Sequence, residues 1–306
     1  MLKTVLLDYN PIVHVTSKLL NGAPILADAA DYIRSLIFEK DDLVLEKLLF
    51  LLGVTTITLK SACFLGKFMK RWSWIPKHIL DQKKVTSSNL KERYGDCFVL
   101  ITGFTQGIGR GYAEIFAELG FNLLLVGRNP ENVDKKVKEL KNIYKNIRIE
   151  SFAVDLNKPK EIDQLEDHFK MFNDLDIGIV VNNAGSVVSG PYHTLDPQEL
   201  VDDVNCDLMA VFTINRILIP RLRARDHRSA ILNLSSCTGY YLTARLGVYS
   251  SAKLIYDVYS RVLSMENEDK IDIMSLRPFG VTTKMMKMKR GPFMVSPRSF
   301  AQQSLG

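Results

Sequence analysis

Tyr249 and Lys253 stand four positions apart in Val248-Tyr249-Ser250-Ser251-Ala252-Lys253, a spacing that puts both side chains on one face of a helix. An ammonium beside a phenol favours the phenolate and lowers a pKa that otherwise lies near ~10, which makes Tyr249 a usable general acid. With eleven tyrosines in the chain, such a pair also arises by chance. The surroundings argue against chance. Upstream, Ala230-Ile231-Leu232-Asn233-Leu234-Ser235-Ser236 is a short apolar run that reads as a buried strand ending in two hydroxyls. Further upstream, Phe98-Val99-Leu100-Ile101 leads into Thr102-Gly103-Phe104-Thr105-Gln106-Gly107-Ile108-Gly109 and then a helical pattern through Leu119. Strand, glycine turn and helix in that order let a backbone approach a pyrophosphate, and the new helix offers unpaired N–H groups and the positive end of its dipole.

The elements that must position these residues follow from the apolar runs. Strands are predicted near 97–102, 122–127, 149–154, 177–182, 230–236 and 272–277, each pair separated by a helical stretch. Such alternation implies an α/β fold with a doubly wound parallel sheet of Rossmann type, and a ligand beyond the carboxyl ends of the strands.

On these motifs the chain resembles the short-chain dehydrogenase/reductase family over roughly residues 93 to 300. The glycine turn fits that family's T-G-x-x-x-G-x-G pattern, and Asn182-Asn183-Ala184-Gly185 fits its N-N-A-G strand end. Ser236, Tyr249 and Lys253 match its catalytic spacing, and Asn205 in Asp203-Val204-Asn205-Cys206 falls where its fourth catalytic residue lies. The resemblance implies a nicotinamide cofactor held by Thr102, Gly103, Gln106, Gly107, Ile108 and Gly109, by Asn183, Ala184 and Gly185, and by Tyr249 and Lys253. It further implies Asp155 at the adenine, and Pro278, Val281 and Thr283 at the nicotinamide, from a stretch similar to the family's P-G-x-x-x-T with Phe279 and Gly280 transposed. Val126-Gly127-Arg128 carries no acid at the end of the second strand, so no carboxylate would repel a 2′-phosphate, and the Arg128 fork could grip one. NADP(H) is the expected cofactor, with an ordinary surface arginine as the alternative reading of Arg128.

Composition fits one catalytic domain plus an extension. Of 306 residues, 46% are hydrophobic and 24% charged, which excludes a disordered chain. The net charge of +6 suits a membrane surface or an anionic substrate, since no nucleic-acid module accompanies it. Cys63, Cys97, Cys206 and Cys237 form neither a metal pattern nor a disulfide framework, and His14, His78, His168, His193 and His227 show no ligand spacing. Ser250-x-x-Lys253 lacks any companion hydrolase motif, and the sequon at Asn233-Leu234-Ser235 falls in a predicted buried strand.

Residues 1–90 read as an N-terminal hydrophobic helical extension, with 91–306 the cofactor-binding domain. Residues 48–66 are almost uninterruptedly apolar except for Lys60, close to the ~20 residues that a bilayer requires. A membrane span and a buried hydrophobic helix or hairpin both fit. Lys67, Lys70, Arg71 and Lys77 follow the segment with Trp72 and Trp74, whereas Asp41, Asp42 and Glu46 precede it, an asymmetry that would place the catalytic domain on the cytosolic side. Within the family, this layout resembles the branch of microsomal very-long-chain 3-oxoacyl-CoA reductases and 17β-hydroxysteroid dehydrogenases. It implies an endoplasmic-reticulum enzyme with a lipid-type ketone substrate. A homodimer through the helices carrying Asn205 and Tyr249 is a further expectation. Relatives continue through a lid helix and a last strand beyond Ser296-Pro297-Arg298-Ser299, so the sheet is expected to lack that edge strand. The chain is then expected to be either a membrane-anchored NADPH-dependent ketoreductase or a cofactor-binding scaffold without turnover.

Overall fold

Among the described residues, six short runs, most of them rich in β-branched and leucine side chains, become six strands: β1 Phe98–Thr102, β2 Asn122–Gly127, β3 Ile149–Ala153, β4 Ile177–Asn182, β5 Ser229–Leu234 and β6 Ile271–Leu276. The computed structural model describes residues 87–241, 243–283, 285 and 294–305, together with Thr55, Thr56 and Lys60. From 87 on, these belong to the second of the chain's two units, Gln82–Gly306. The candidate membrane segment 48–66 otherwise lies outside the described residues, among which no helix is long and apolar enough to cross a membrane.

All five strand pairings are parallel, in the order β3-β2-β1-β4-β5-β6. The order reverses between β1 and β4, the point at which an open sheet leaves a crevice for a ligand. Register brings the motif ends level, with Thr102 opposite Val126 and Ile101 opposite Val181. The helices between them are α1 Ser87–Tyr94, α2 Gly107–Glu118, α3 Pro130–Ile143, two short helices α4 Pro159–Asp163 and α5 Leu165–Lys170, then α6 Pro197–Val204, α7 Ala210–Arg223, α8 Gly247–Glu266 and α9 Pro297–Leu305.

Alternate strand residues feed two apolar layers. Val99, Ile101, Leu123, Leu125 and Val181 pack with Tyr112 and Phe116 of α2, whereas Leu100, Leu124, Val180 and Ile231 pack with Ile214 and Leu218 of α7. Each such side chain, fully buried, contributes about 1.5–3 kcal/mol. A buried polar row crosses the sheet beneath the crevice. Asn182 Nδ2 donates to Asn215 Oδ1 (3.0 Å) and Asn233 Oδ1 (2.8 Å), and Asn233 Nδ2 donates to Ser260 Oγ (2.9 Å). Asn233 is fully buried and spoken for, which removes the sequon as a glycosylation site.

Two attachments frame the sheet. Arg93 and Tyr94 of α1 both donate to Asp272 at the start of β6, where Arg228 joins them. At the other end α9 lies against α2: Tyr112 Oη and Ser304 Oγ share a hydrogen bond of 2.5 Å, and Arg298 pairs with Glu118. A methyl group on Gly111 would meet the Pro297 carbonyl oxygen at 2.6 Å, so only glycine permits this approach.

Candidate functional site

The turn after β1 needs glycine twice, because Gly103 and Gly107 have φ of +68° and +60°. Gln106 then caps α2 in an extended conformation with no side-chain hydrogen bond to the first-turn N–H groups, which leaves these donors for an anion. Thr102 and Asn183 lash β1 to β4. Thr102 Oγ1 accepts from the Asn183 N–H (3.0 Å) and the Ala184 N–H (2.9 Å), while Asn183 Nδ2 donates to the carbonyls of Thr102 (2.8 Å) and Gly103 (3.2 Å).

A cavity of about 290 Å³ opens at this switch point. Of the residues singled out in the sequence, it brings together Gly103, Gln106, Gly107, Ile108, Arg128, Asp155, Asn183, Ala184, Gly185, Tyr249, Lys253, Pro278 and Thr283. Thr102, Gly109, Val281, Ser236 and Asn205 are not among its lining. Thr102 is buried in the lashing just described, Gly109 lies against the Gly103 carbonyl, and Val281 bridges to Val295. None of the described histidines lines the cavity, and no cluster of metal-ligating side chains occurs among the described residues.

Ser236 is the N-cap of a single 3₁₀ turn, Cys237–Gly239, because β5 ends at Leu234, two residues short of the predicted strand end. Its oxygen accepts from the Thr238 N–H (3.2 Å) and Thr238 Oγ1 (2.9 Å). Lys253 Nζ lies 5.5 Å from the centroid of the Tyr249 ring and 4.4 Å from that of Tyr256.

The balance at Tyr249 differs from the expected lowering. Burial pushes the phenol above its ordinary value, and the Lys253 charge, with the Ser236 hydroxyl nearby, only moderates the rise. A tyrosine near its ordinary ~10 is already protonated at neutral pH, the state a proton donor needs, and the upward shift does not change that.

Asn205 makes no hydrogen bond to Lys253 among the described residues. Its Nδ2 donates to the Asn157 carbonyl (3.1 Å), and a π turn, Asn205–Met209, carries the chain between α6 and α7. That turn delivers Asp207 instead: its Oδ1 accepts from Lys253 Nζ at 3.1 Å, and both side chains are at least 96% buried. Burial pushes the Asp207 carboxyl up to about 6 against the opposing pull of Lys253. Burial likewise works against the lysine's charge, but Asp207 foremost holds the ammonium above its ordinary range. The signal for Asp207 in the sequence was only an acid two positions after Asn205.

The cavity has the makings of a dinucleotide site: uncapped N–H donors on α2, glycines where a backbone must approach a ligand, and a cation at the far end of β2. A sheet, turn and Tyr-Lys pair so arranged define a Rossmann-type class of cofactor-binding protein. The chain belongs to the short chain dehydrogenase family, whose pattern matches residues 97–292. It is 36% identical over 198 residues to very-long-chain 3-oxoacyl-CoA reductase-A of Danio rerio, a match spanning 63% of this chain and 60% of that one. It is 31% identical to hydroxysteroid dehydrogenase-like protein 1 of Gallus gallus, over 75% of this chain and 67% of that one. Among solved structures, a short-chain dehydrogenase from Sphingobium yanoikuyae in complex with NADPH matches with a TM-score of 0.62 and 25% identity, over 68% of this chain and 83% of that one.

Proposed function

We propose that the protein is a membrane-anchored, NADPH-dependent ketoreductase for lipid-type ketones, with 3-oxoacyl-CoA esters the preferred class and 17-ketosteroids the second. The observation that carries this reading is the placement of Tyr249 and Lys253 on the wall of the same cavity as the glycine turn. The name of the Danio rerio relative supports the acyl-CoA class.

Bound in this cavity, the cofactor would supply a hydride. Gly103, Gly107 and the first turn of α2 would hold its pyrophosphate, Asp155 its adenine, Lys253 its nicotinamide ribose, and Pro278 and Thr283 its nicotinamide. The protein's own part is the proton. Tyr249, a protonated phenol at neutral pH, gives it to the substrate oxygen as the carbonyl becomes an alcohol. Ser236 has its oxygen occupied by Thr238, so its proton is left to hold the substrate oxygen where charge develops.

Arg128 lines the cavity and is exposed, with no ion pair or hydrogen bond among the described residues. Such a free fork suits a 2′-phosphate. Arg128→Asp should therefore reverse the cofactor preference towards NADH, as read from kcat/KM for the two cofactors; an unchanged ratio would remove Arg128 from the assignment.

The substrate side is supported by Met285, which lines the cavity. Its neighbours Lys284, Met286, Lys287, Met288, Lys289, Arg290 and Phe293 lie outside the described residues; their cations suit coenzyme A phosphates, and their methionines a variable acyl chain. A homodimer is supported by the exposed row Leu254, Ile255, Val258 and Val262 on α8, with Met209 exposed on the π turn. Membrane anchoring with the catalytic domain towards the cytosol rests on residues 48–66 and their basic flank, and the endoplasmic reticulum on the resemblance to microsomal reductases. The protein should stay with membranes through carbonate extraction, and its release would reject the anchor.

The decisive experiment follows NADPH absorbance with the full-length protein and a panel of 3-oxoacyl-CoA and ketosteroid substrates. Consumption with an acyl-CoA supports the reading. Cofactor binding without consumption for any ketone would leave the scaffold reading in its place.

A further inference from the structure

The buried pair beneath Tyr249 is unusual in its composition. Asp207 is completely buried and Lys253 nearly so, and one carboxylate oxygen carries the whole contact, while Asp207 Oδ2 has no hydrogen-bond partner among the described residues. Lys253 spends a second proton on the Leu234 carbonyl (3.0 Å), leaving a third for the cavity that it lines. Gly185 makes the room, since a methyl group there would meet Asp207 Oδ1 at 2.7 Å and Lys253 Nζ at 3.5 Å. An ion pair so dry is a poor source of stability, because desolvating both charges costs as much as their attraction returns. Its worth lies elsewhere.

We propose that Asp207 is a positioning residue that acts through Lys253: it pins the ammonium to the cavity floor beside the Tyr249 ring and screens the lysine's charge from the phenol. The inference rests on the ketoreductase reading above. The π turn is what aims the carboxylate, placing it between α8 and the end of β4. The titratable groups facing Asp207 are Asp203 and Cys206 from its own segment, and Lys253, Tyr249 and Tyr256 from α8. Asp203 accepts from Ser186 Oγ at 2.7 Å through Oδ1, and it is Asp207, not Asp203, that forms the ion pair with the lysine. Protonating Asp207, as its rise to about 6 permits, would expose Tyr249 to the full lysine charge.

Removing the carboxylate charge at constant size tests this. In Asp207→Asn, the Tyr249 phenol should ionise about one pH unit lower, a tenfold change in its phenolate fraction at fixed pH. The midpoint is read from 13C-tyrosine NMR of the full-length protein, with the Tyr249 signal assigned by its loss in Tyr249→Phe. The basic limb of the pH profile of kcat should move by the same amount, and Asp207→Glu should restore part of it. Should Asp207→Asn fail to fold, Gly185→Ala displaces the carboxylate with its charge intact and should shift the phenol in the same direction. An unmoved or raised Tyr249 midpoint in a folded variant overturns the proposal. The NMR measurement needs no substrate, so it stands apart from a failure of the wild-type protein to reduce any ketone.

Discussion

Replacing Tyr249 by phenylalanine should lower ketone reduction at least ~100-fold, equivalent to about 2.7 kcal/mol of transition-state stabilisation, with NADPH affinity within about a factor of two of wild type. The phenylalanine ring preserves the packing of a half-buried side chain over Lys253 and deletes only the oxygen. Loss in kcat with an unchanged cofactor Kd is the signature of a group that acts in the transition state alone. If turnover survives, the proton comes from another donor, and the role of the Tyr-Lys pair falls with it. A parallel fall in NADPH binding would show instead that the phenol serves the cofactor.

Gly109→Ala should cost about 2–3 kcal/mol of stability and weaken NADPH roughly ten- to hundred-fold, although Gly109 does not line the cavity. The added methyl would sit 2.5 Å from the Gly103 carbonyl oxygen and overlap Asn183 Nδ2. Neither neighbour can retreat, because both belong to the lashing between β1 and β4 and hold the turn in shape. Gly247→Ala is the control. Its methyl meets nothing within 4 Å at the start of α8, so its effect should stay within about 0.5 kcal/mol. Urea denaturation and cofactor titration of both variants separate a specific clash from a general intolerance of glycine replacement.

The strands were legible because a parallel sheet covered on both faces demands short, continuous apolar runs, and Phe98–Thr102 and Ile177–Asn182 supply them. The glycine turn was legible for a different reason: backbone at positive φ leaves its mark in residue type. Tyr249 and Lys253 could be set on one wall of the cavity because a four-residue helical spacing is local. Asp207 could not. Asn205 and Asp207 lie within two positions of each other, and which of them faces the lysine depends on a π turn whose residues, Asn-Cys-Asp-Leu-Met, announce no departure from α-helix. The direction of the Tyr249 shift escaped too, because the depth of burial is set by tertiary packing around α8, and a neighbouring cation is visible in sequence where a low dielectric is not.

The docking of α9 on α2 makes distant parts of the chain thermodynamic partners. Gly111 lets the two backbones touch one turn beyond the residues that would receive the cofactor's phosphates, so α2 cannot shift at its first turn without straining its contact with Pro297. Linkage runs both ways: whatever free energy a seated α9 contributes to the order of that first turn, an anion bound there must return to α9 in equal measure. The C-terminal helix is in that sense a second, solvent-side reader of whether the cavity is filled.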